Sequence, residues 1–303
     1  MTKATGKCKL CHQIADLQES HYIPAFVFRW LKGSSVGAIR TYDTPNRRIQ
    51  DAPKEPLLCV SCEERFSQWE KSFAENVFIP AQTAPVRSDT LAYGPETLPF
   101  AVSVSWRTLI YYMCRDARLS QQPEVLHAER IWREVLLGKR PHPEGNEQHM
   151  LHVDVVQGTT LPVSPFLNRY LLRALDMDFV TSQAESFTYT KLGRLLLFGF
   201  VRSHTWRRWK GTKLHVRGGY VGEGQVEVPS ELGTFLNAKA NTVAASLQTM
   251  SPHQRQKIED IFRSKQAAII EAEVFRAMHA DVALSGSSAF EVTKSAQTTN
   301  EES

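Results

Sequence analysis

The chain has 303 residues, a net charge of +4 and 42% hydrophobic residues, enough to bury a full core in one or two domains. The mild basic balance permits a polyanionic partner without requiring one. No apolar run approaches the length of a membrane span, and Met1-Thr-Lys-Ala-Thr-Gly-Lys-Cys8 carries no apolar signal core. A cytoplasmic protein with reduced thiols and no membrane partner is therefore expected.

In chain order, Cys8-Lys-Leu-Cys11 forms a tight turn that can present two thiolates to one side of a metal. Residues 22 to 32 open on a proline and predict a helix, with Phe26, Trp30 and Leu31 on one face and Gly33 beyond its end. Residues 34 to 56 are polar and predict an irregular loop or a weak hairpin. Cys59-Val-Ser-Cys62 repeats the earlier cysteine spacing. Glu63 to Val77 then predicts a helix with Phe66, Trp69, Phe73 and Val77 as its apolar stripe, ended by Pro80.

Residues 81 to 99 hold three further prolines and predict a linker. Residues 100 to 285 predict a larger α+β domain. Its helices are Val102 to Leu119 and Glu124 to Leu137, the latter stopped by Gly138, and Ser164 to Met177. Its strands are Met150 to Val156, Phe187 to Lys191 and Leu195 to Val201. Lys213 to Arg217 and Gln225 to Val228 flank Gly218-Gly219 as a hairpin signal. Helix returns over 230 to 280, with Ser230 as a candidate cap and Ser251-Pro252 as a clean start. Residues 286 to 303 predict a disordered Ser/Thr-rich tail. Cys114 sits in an apolar run and is expected in the core; His142, His149 and His152 are expected at the surface.

Cys8, Cys11, Cys59 and Cys62, as CxxC-x47-CxxC, make a tetrahedral sulfur set suited to a structural Zn2+. Such a closed shell leaves no position for water, and its binding energy becomes folding energy. Between Lys191 and Arg217 lie eight basic residues and no acid, among them Arg202, Arg207, Arg208 and Lys210, with Trp206 and Trp209 interleaved. Arginines can hold phosphates while a tryptophan stacks on a base; the bland alternative is a solvated loop whose tryptophans anchor it. Arg40, Arg47 and Arg48 form a second basic group inside the cysteine segment.

Cys8-x2-Cys11, Ser20-His21-Tyr22-Ile23-Pro24 and Leu58-Cys59-x2-Cys62-Glu63 together resemble the HNH, or ββα-metal, nuclease module, in its subset with two zinc knuckles. The resemblance covers residues 8 to 77. It implies a small N-terminal treble-clef module over residues 1 to 80, followed by a larger mixed domain of helices and antiparallel strands. It implies that His21 is the general base and that Glu63 is a ligand for catalytic Mg2+ or Mn2+. Ser20 stands where the family has its other metal ligand, and Asn46 and Asp51 are the candidates for the residue that orients the base. The expected function is an HNH-like endonuclease acting on nucleic acid, DNA ahead of RNA. The rivals are a non-catalytic zinc-knuckle protein binding nucleic acid or a protein, and a chain whose C-terminal domain does the work by engaging a protein partner.

Overall fold

The computed structural model describes residues 4–83, 91–160, 162–203, 208–222 and 225–286. Among these the chain is α+β, and the strand pairings are antiparallel. No helix of the described residues is long and apolar enough to cross a membrane.

Two compact units emerge, each assembled from separated segments. One comprises Met1–Gly33, Gln50–Val153 and Ala174–Pro229; the other comprises Ser34–Ile49, Asp154–Arg173 and Ser230–Ser303. The units cut across the linear divisions expected at 80 and 100. Residues 84–90, within the expected linker, and 287–303, the expected tail, fall outside the described residues.

In the first unit, β1 (Thr5–Lys7), β2 (Ile14–His21) and β3 (Lys54–Cys59) form an antiparallel sheet in that order. Between β2 and β3 the chain makes α1 (Ala25–Gly33), which opens directly after Pro24 and buries Val27 and Phe28. Phe26 and Trp30 pack their rings on Phe78 from the same helix. β3 runs straight into α2 (Val60–Phe73). Phe66 and Phe73 are buried as the stripe requires, and Trp69 packs beside Phe66.

Pro80 does not end this helix. A π turn at Ala74–Phe78 follows α2, and α3 (Ile79–Thr83) continues from it. The Ile79 N–H already reaches back five residues to Ala74 O. The ladder has widened just before the residue that lacks a donor, so the proline is accommodated rather than breaking the run.

After β4 (Ala92–Tyr93) comes α4 (Thr97–Arg115), buried on every side from Phe100 to Ile110. Its Phe100 stacks on Phe73 at 3.8 Å between ring centroids, and its Trp106 meets Phe66 edge-on. The cysteine segment and α4 therefore share one core. Cys114 lies beyond the buried part of α4 and is exposed, contrary to expectation. α5 (Pro123–Leu136) begins on its proline, and Gly138 at φ 71° follows it in the left-handed region.

A four-stranded sheet carries the rest of this unit. It is built from β5 (Gln148–His152), β6 (Leu175–Thr181), β7 (Glu185–Leu192) and β8 (Leu195–Ser203), in the order β5-β8-β7-β6. Ahead of β6 comes α6 (Leu167–Arg173) of the second unit, so the expected helix to Met177 stops early. Leu175, Met177 and Phe179 recur at every second residue and pack on the core, so pairing with β7 wins over helical continuation.

α4 lies on this sheet closely enough that Ser105 Oγ donates to Gln148 Oε1 at 2.6 Å and Thr108 meets Thr190 at 2.9 Å. Gly199 makes the approach possible. A Cβ there would sit 2.5 Å from Ser105 Oγ and 2.8 Å from Thr188 Oγ1. Gly199→Ala is expected to lower stability by about 1–3 kcal/mol, read as a fall in the urea midpoint at unchanged slope.

The hairpin expected around Gly218-Gly219 does not form. β9 (Gly219–Tyr220) pairs with distant β4 instead. Gly218, at φ 88°, leaves no room for a Cβ against Tyr93 O, so the glycine serves this close approach rather than a hairpin turn.

The second unit gathers α6, α7 (Glu231–Gln248), α8 (Pro252–Ser264), α9 (Gln266–Ile270) and α10 (Glu273–Ser285) around the 34–49 loop. Ser251 caps α8 by accepting from the Gln254 N–H, whereas Ser230 makes no such bond. Buried Asp281 of α10 accepts from the Asn168 and Arg169 N–H groups at the start of α6 and from Arg169 Nε.

Candidate metal centre and the adjoining histidine

The first cysteine turn is held by Cys8 N–H to Gln13 O at 2.8 Å and by His12 N–H to Cys8 O at 2.9 Å. His12 takes a left-handed φ of 65° to close it. Cys59 ends β3 and Cys62 sits in the first turn of α2, where free N–H groups and the helix dipole favour thiolate. The Cys59 N–H also points at Cys8 Sγ, at 3.4 Å.

The four sulfurs lie within 4.8 Å of one another, with Cys11 and Cys59 Sγ 3.7 Å apart. A tetrahedral site with metal–sulfur bonds of about 2.3 Å has sulfur–sulfur edges of about 3.8 Å. The set is thus compatible with a metal site and suits zinc. Among the described residues no other group of three or more His, Cys, Asp and Glu side chains converges this way.

The electrostatics point the same way. Burial works to raise the Cys59 thiol, but hydrogen bonds from Ser61 and from Cys62 prevail and bring it down to about 6. Burial, with the neighbouring sulfurs, pushes Cys62 well up, and burial also raises Cys11. Four adjacent sulfurs cannot all ionise without a cation among them.

His21 is the last residue of β2, and Ser20 precedes it. Successive strand residues face opposite ways, and the two side chains find different partners. Ser20, fully buried, donates to Glu63 Oε2 at 2.8 Å. The positions of the serine and of the carboxylate that follows Cys62 are therefore neighbours in space.

On the other side, His21 Nε2 lies 3.0 Å from Asp51 Oδ1. Desolvation opposes the charge on Asp51, but Lys54 and His21 hold its carboxyl below the usual range. An ionised Asp51 can only accept, so the neutral imidazole carries its proton on Nε2 and leaves Nδ1 as an acceptor. Asn46 does not play this part. It belongs to the second unit and bonds Thr249 O and the Ser251 N–H.

The backbone at His21 is pinned from α4. Arg107 is 2% exposed; its Nη1 donates to His21 O at 3.0 Å and pairs with Glu70 Oε1 of α2 at 2.8 Å. Its guanidinium also lies over the Phe66 ring at 5.3 Å. Beside it, Tyr22 Oη donates to Glu55 of β3 at 2.7 Å, and Arg115 reaches the same carboxylate. Arg107 and Glu70 were not legible as a pair, because each reads alone as a helix surface charge.

The basic residues expected to meet nucleic acid are mostly engaged within the fold. Arg40 donates to Gln254 Oε1 and Ala38 O, and Arg202 donates to Ser182 O and Gln183 O. Lys210 pairs with Glu227 at 2.9 Å. Arg47, Arg48 and Arg208 are exposed, while Arg207 and Trp206 lie outside the described residues. Trp209 is buried among Phe187, Phe198 and Phe200, as an anchor would be.

His142 is exposed as expected, but His149 and His152 are buried. His149 Nδ1 meets Thr212 Oγ1, and His152 Nε2 meets Ala81 O, both at 2.7 Å. No protein-family model, curated protein or solved structure matches this chain, and the site has to be understood from its own side chains.

Proposed function

We propose that the segment carrying β1 to α2 is an HNH-like endonuclease module on a structural zinc, hydrolysing phosphodiester bonds of nucleic acid, DNA ahead of RNA, in a reducing, cytoplasmic setting. The observation that carries this reading is the pair of contacts at the end of β2. His21 is oriented by Asp51, and Ser20 meets Glu63, on a strand whose partner runs into the helix that bears Cys62.

The zinc's part is mechanical. Held by Cys8, Cys11, Cys59 and Cys62, it ties the first turn to the junction of β3 and α2, which fixes where Glu63 stands. His21 Nδ1 accepts a proton from the attacking water, and Asp51 steadies the imidazolium that results. Mg2+ or Mn2+ at Glu63 would supply positive charge to the scissile phosphate. The donors there fit such an ion poorly: one carboxylate and one hydroxyl, already bonded to each other. No step is assigned to it.

The test is incubation of purified protein with plasmid, single-stranded DNA and RNA, with and without Mg2+ or Mn2+. His21→Ala is expected to lose about 100-fold or more of the cleavage rate, in line with removal of a general base. Absence of cutting under every condition, or equal cutting by His21→Ala, sinks the nuclease reading. The Ser20–Glu63 bond favours a second reading, in which the module binds nucleic acid or a protein without cleaving; retention of a labelled strand without products would mark it.

A further inference from the structure

The first unit holds a cleft of about 770 Å3 at the open end of β5 and β8, away from the cysteines in sequence. Its aromatic wall is Phe200 and Trp209, with ring centroids 5.2 Å apart at 74°. His149 packs its ring edge-on at 5.0 Å from Phe200. The polar side is Glu147 with Lys213, which form an ion pair, and Lys210, paired with Glu227.

The size falls within the usual range for a small-molecule site. The chemistry narrows the ligand. Glu147 lies beside His149 and Lys213; hydrogen bonding from His149, against desolvation and together with Lys213, holds its carboxyl down to about 2, so it is ionised and can only accept. Burial lowers the pKa of His149, which keeps the ring neutral. Two carboxylates and two ammoniums then balance, and a strongly anionic ligand gains little here. A flat, neutral ring with N–H donors and carbonyl acceptors on one edge meets every group present. Its face lies on the aromatic wall, Glu147 accepts from its donors, and Lys213 donates to its acceptors.

We propose that this cleft binds a nucleobase, taken from a free nucleotide or from a single strand. The site goes beyond the nuclease reading and does not depend on His21.

Calorimetric titration of the full chain with adenosine, guanosine, cytidine and uridine tests it. At least one nucleoside should bind at millimolar or lower concentration. It should also quench tryptophan fluorescence, and that quench should be lost in Trp209→Phe. Glu147→Gln should weaken binding by about ten-fold or more, as loss of a charged hydrogen-bond partner does. Lys213→Met serves the same purpose should Glu147→Gln not fold. Comparing 5′-monophosphates with a short single-stranded oligonucleotide identifies the source, and tighter binding of either supports the site. No binding of any nucleoside by the wild type, or unchanged binding in both variants, overturns it. Binding is read by heat and fluorescence rather than by cleavage, so failure here and failure of the nuclease reading are separate results.

Discussion

Replacing Cys59 by serine is expected to unfold the region from β1 through α2 rather than merely to empty a site. Zinc binding by small sulfur sites carries about 10–16 kcal/mol near neutral pH, comparable with the whole stability of a typical domain at about 5–15 kcal/mol. The damage should spread, because Phe66 and Phe73 of α2 pack on Trp106 and Phe100 of α4. Elemental analysis of the wild type is expected to give about one zinc per chain. Cys59→Ser should give none and should lose near-ultraviolet dichroism and cooperative melting. A strong chelator should do the same to the wild type. Cys114→Ser is the matched control: that thiol is exposed and remote from the set, so stability should stay within about 0.5 kcal/mol. A zinc-free wild type that melts cooperatively, or a Cys59→Ser protein with an unchanged melt, would refute the account.

Arg107→Met is the second large effect, expected to cost about 3 kcal/mol. Removing one member of a buried ion pair strands the other, typically at about 3–5 kcal/mol. Glu70 keeps 21% exposure, which places the estimate at the low end. The His21 carbonyl also loses its donor, as does Ser103 O within α4. Arg107→Lys should not rescue, since one ammonium cannot span Ser103, His21 and Glu70 as the planar fork does. Arg107→Met combined with Glu70→Gln should recover part of the loss, because the stranded charge is then gone. Urea unfolding reads all of these. A midpoint for Arg107→Met that matches the wild type would show that the contact carries no stability.

The parts of this molecule legible in its sequence are those whose cause is local. Cysteines two residues apart announce a metal turn, and all four sulfurs do converge. Phe66 and Phe73 at helical spacing announce α2, and the apolar run around Leu195 announces β8. The parts that were not legible depend on partners far along the chain. Burial of His149 rests on Thr212 and Phe200, and burial of His152 rests on Ala81, 71 residues away. Cys114 was misplaced because the apolar run around it is longer than the buried part of α4. At the candidate site, Asp51 could be named only as one of two candidates. Its bond to His21 requires the loop to return beside β2. Ser20 read as a lost ligand, whereas its hydroxyl fills the Glu63 carboxylate across 43 residues of chain.

The interleaving of the two units has a consequence for synthesis on the ribosome. Arg40 bonds Gln254, Tyr42 O accepts from Ser246, and Asn46 bonds Thr249 and Ser251. The first of these spans 214 residues. At about 5–20 residues per second, the 34–49 segment must wait about 10–40 s after emerging before its partners exist. The other unit is completed by β8, which also emerges long after the cysteine turns. Neither unit can close while its first segment is the only part outside the tunnel. Early capture of zinc by the cysteines would hold the leading segment in a productive shape during that interval, with helix α4 arriving next to cover its aromatic face.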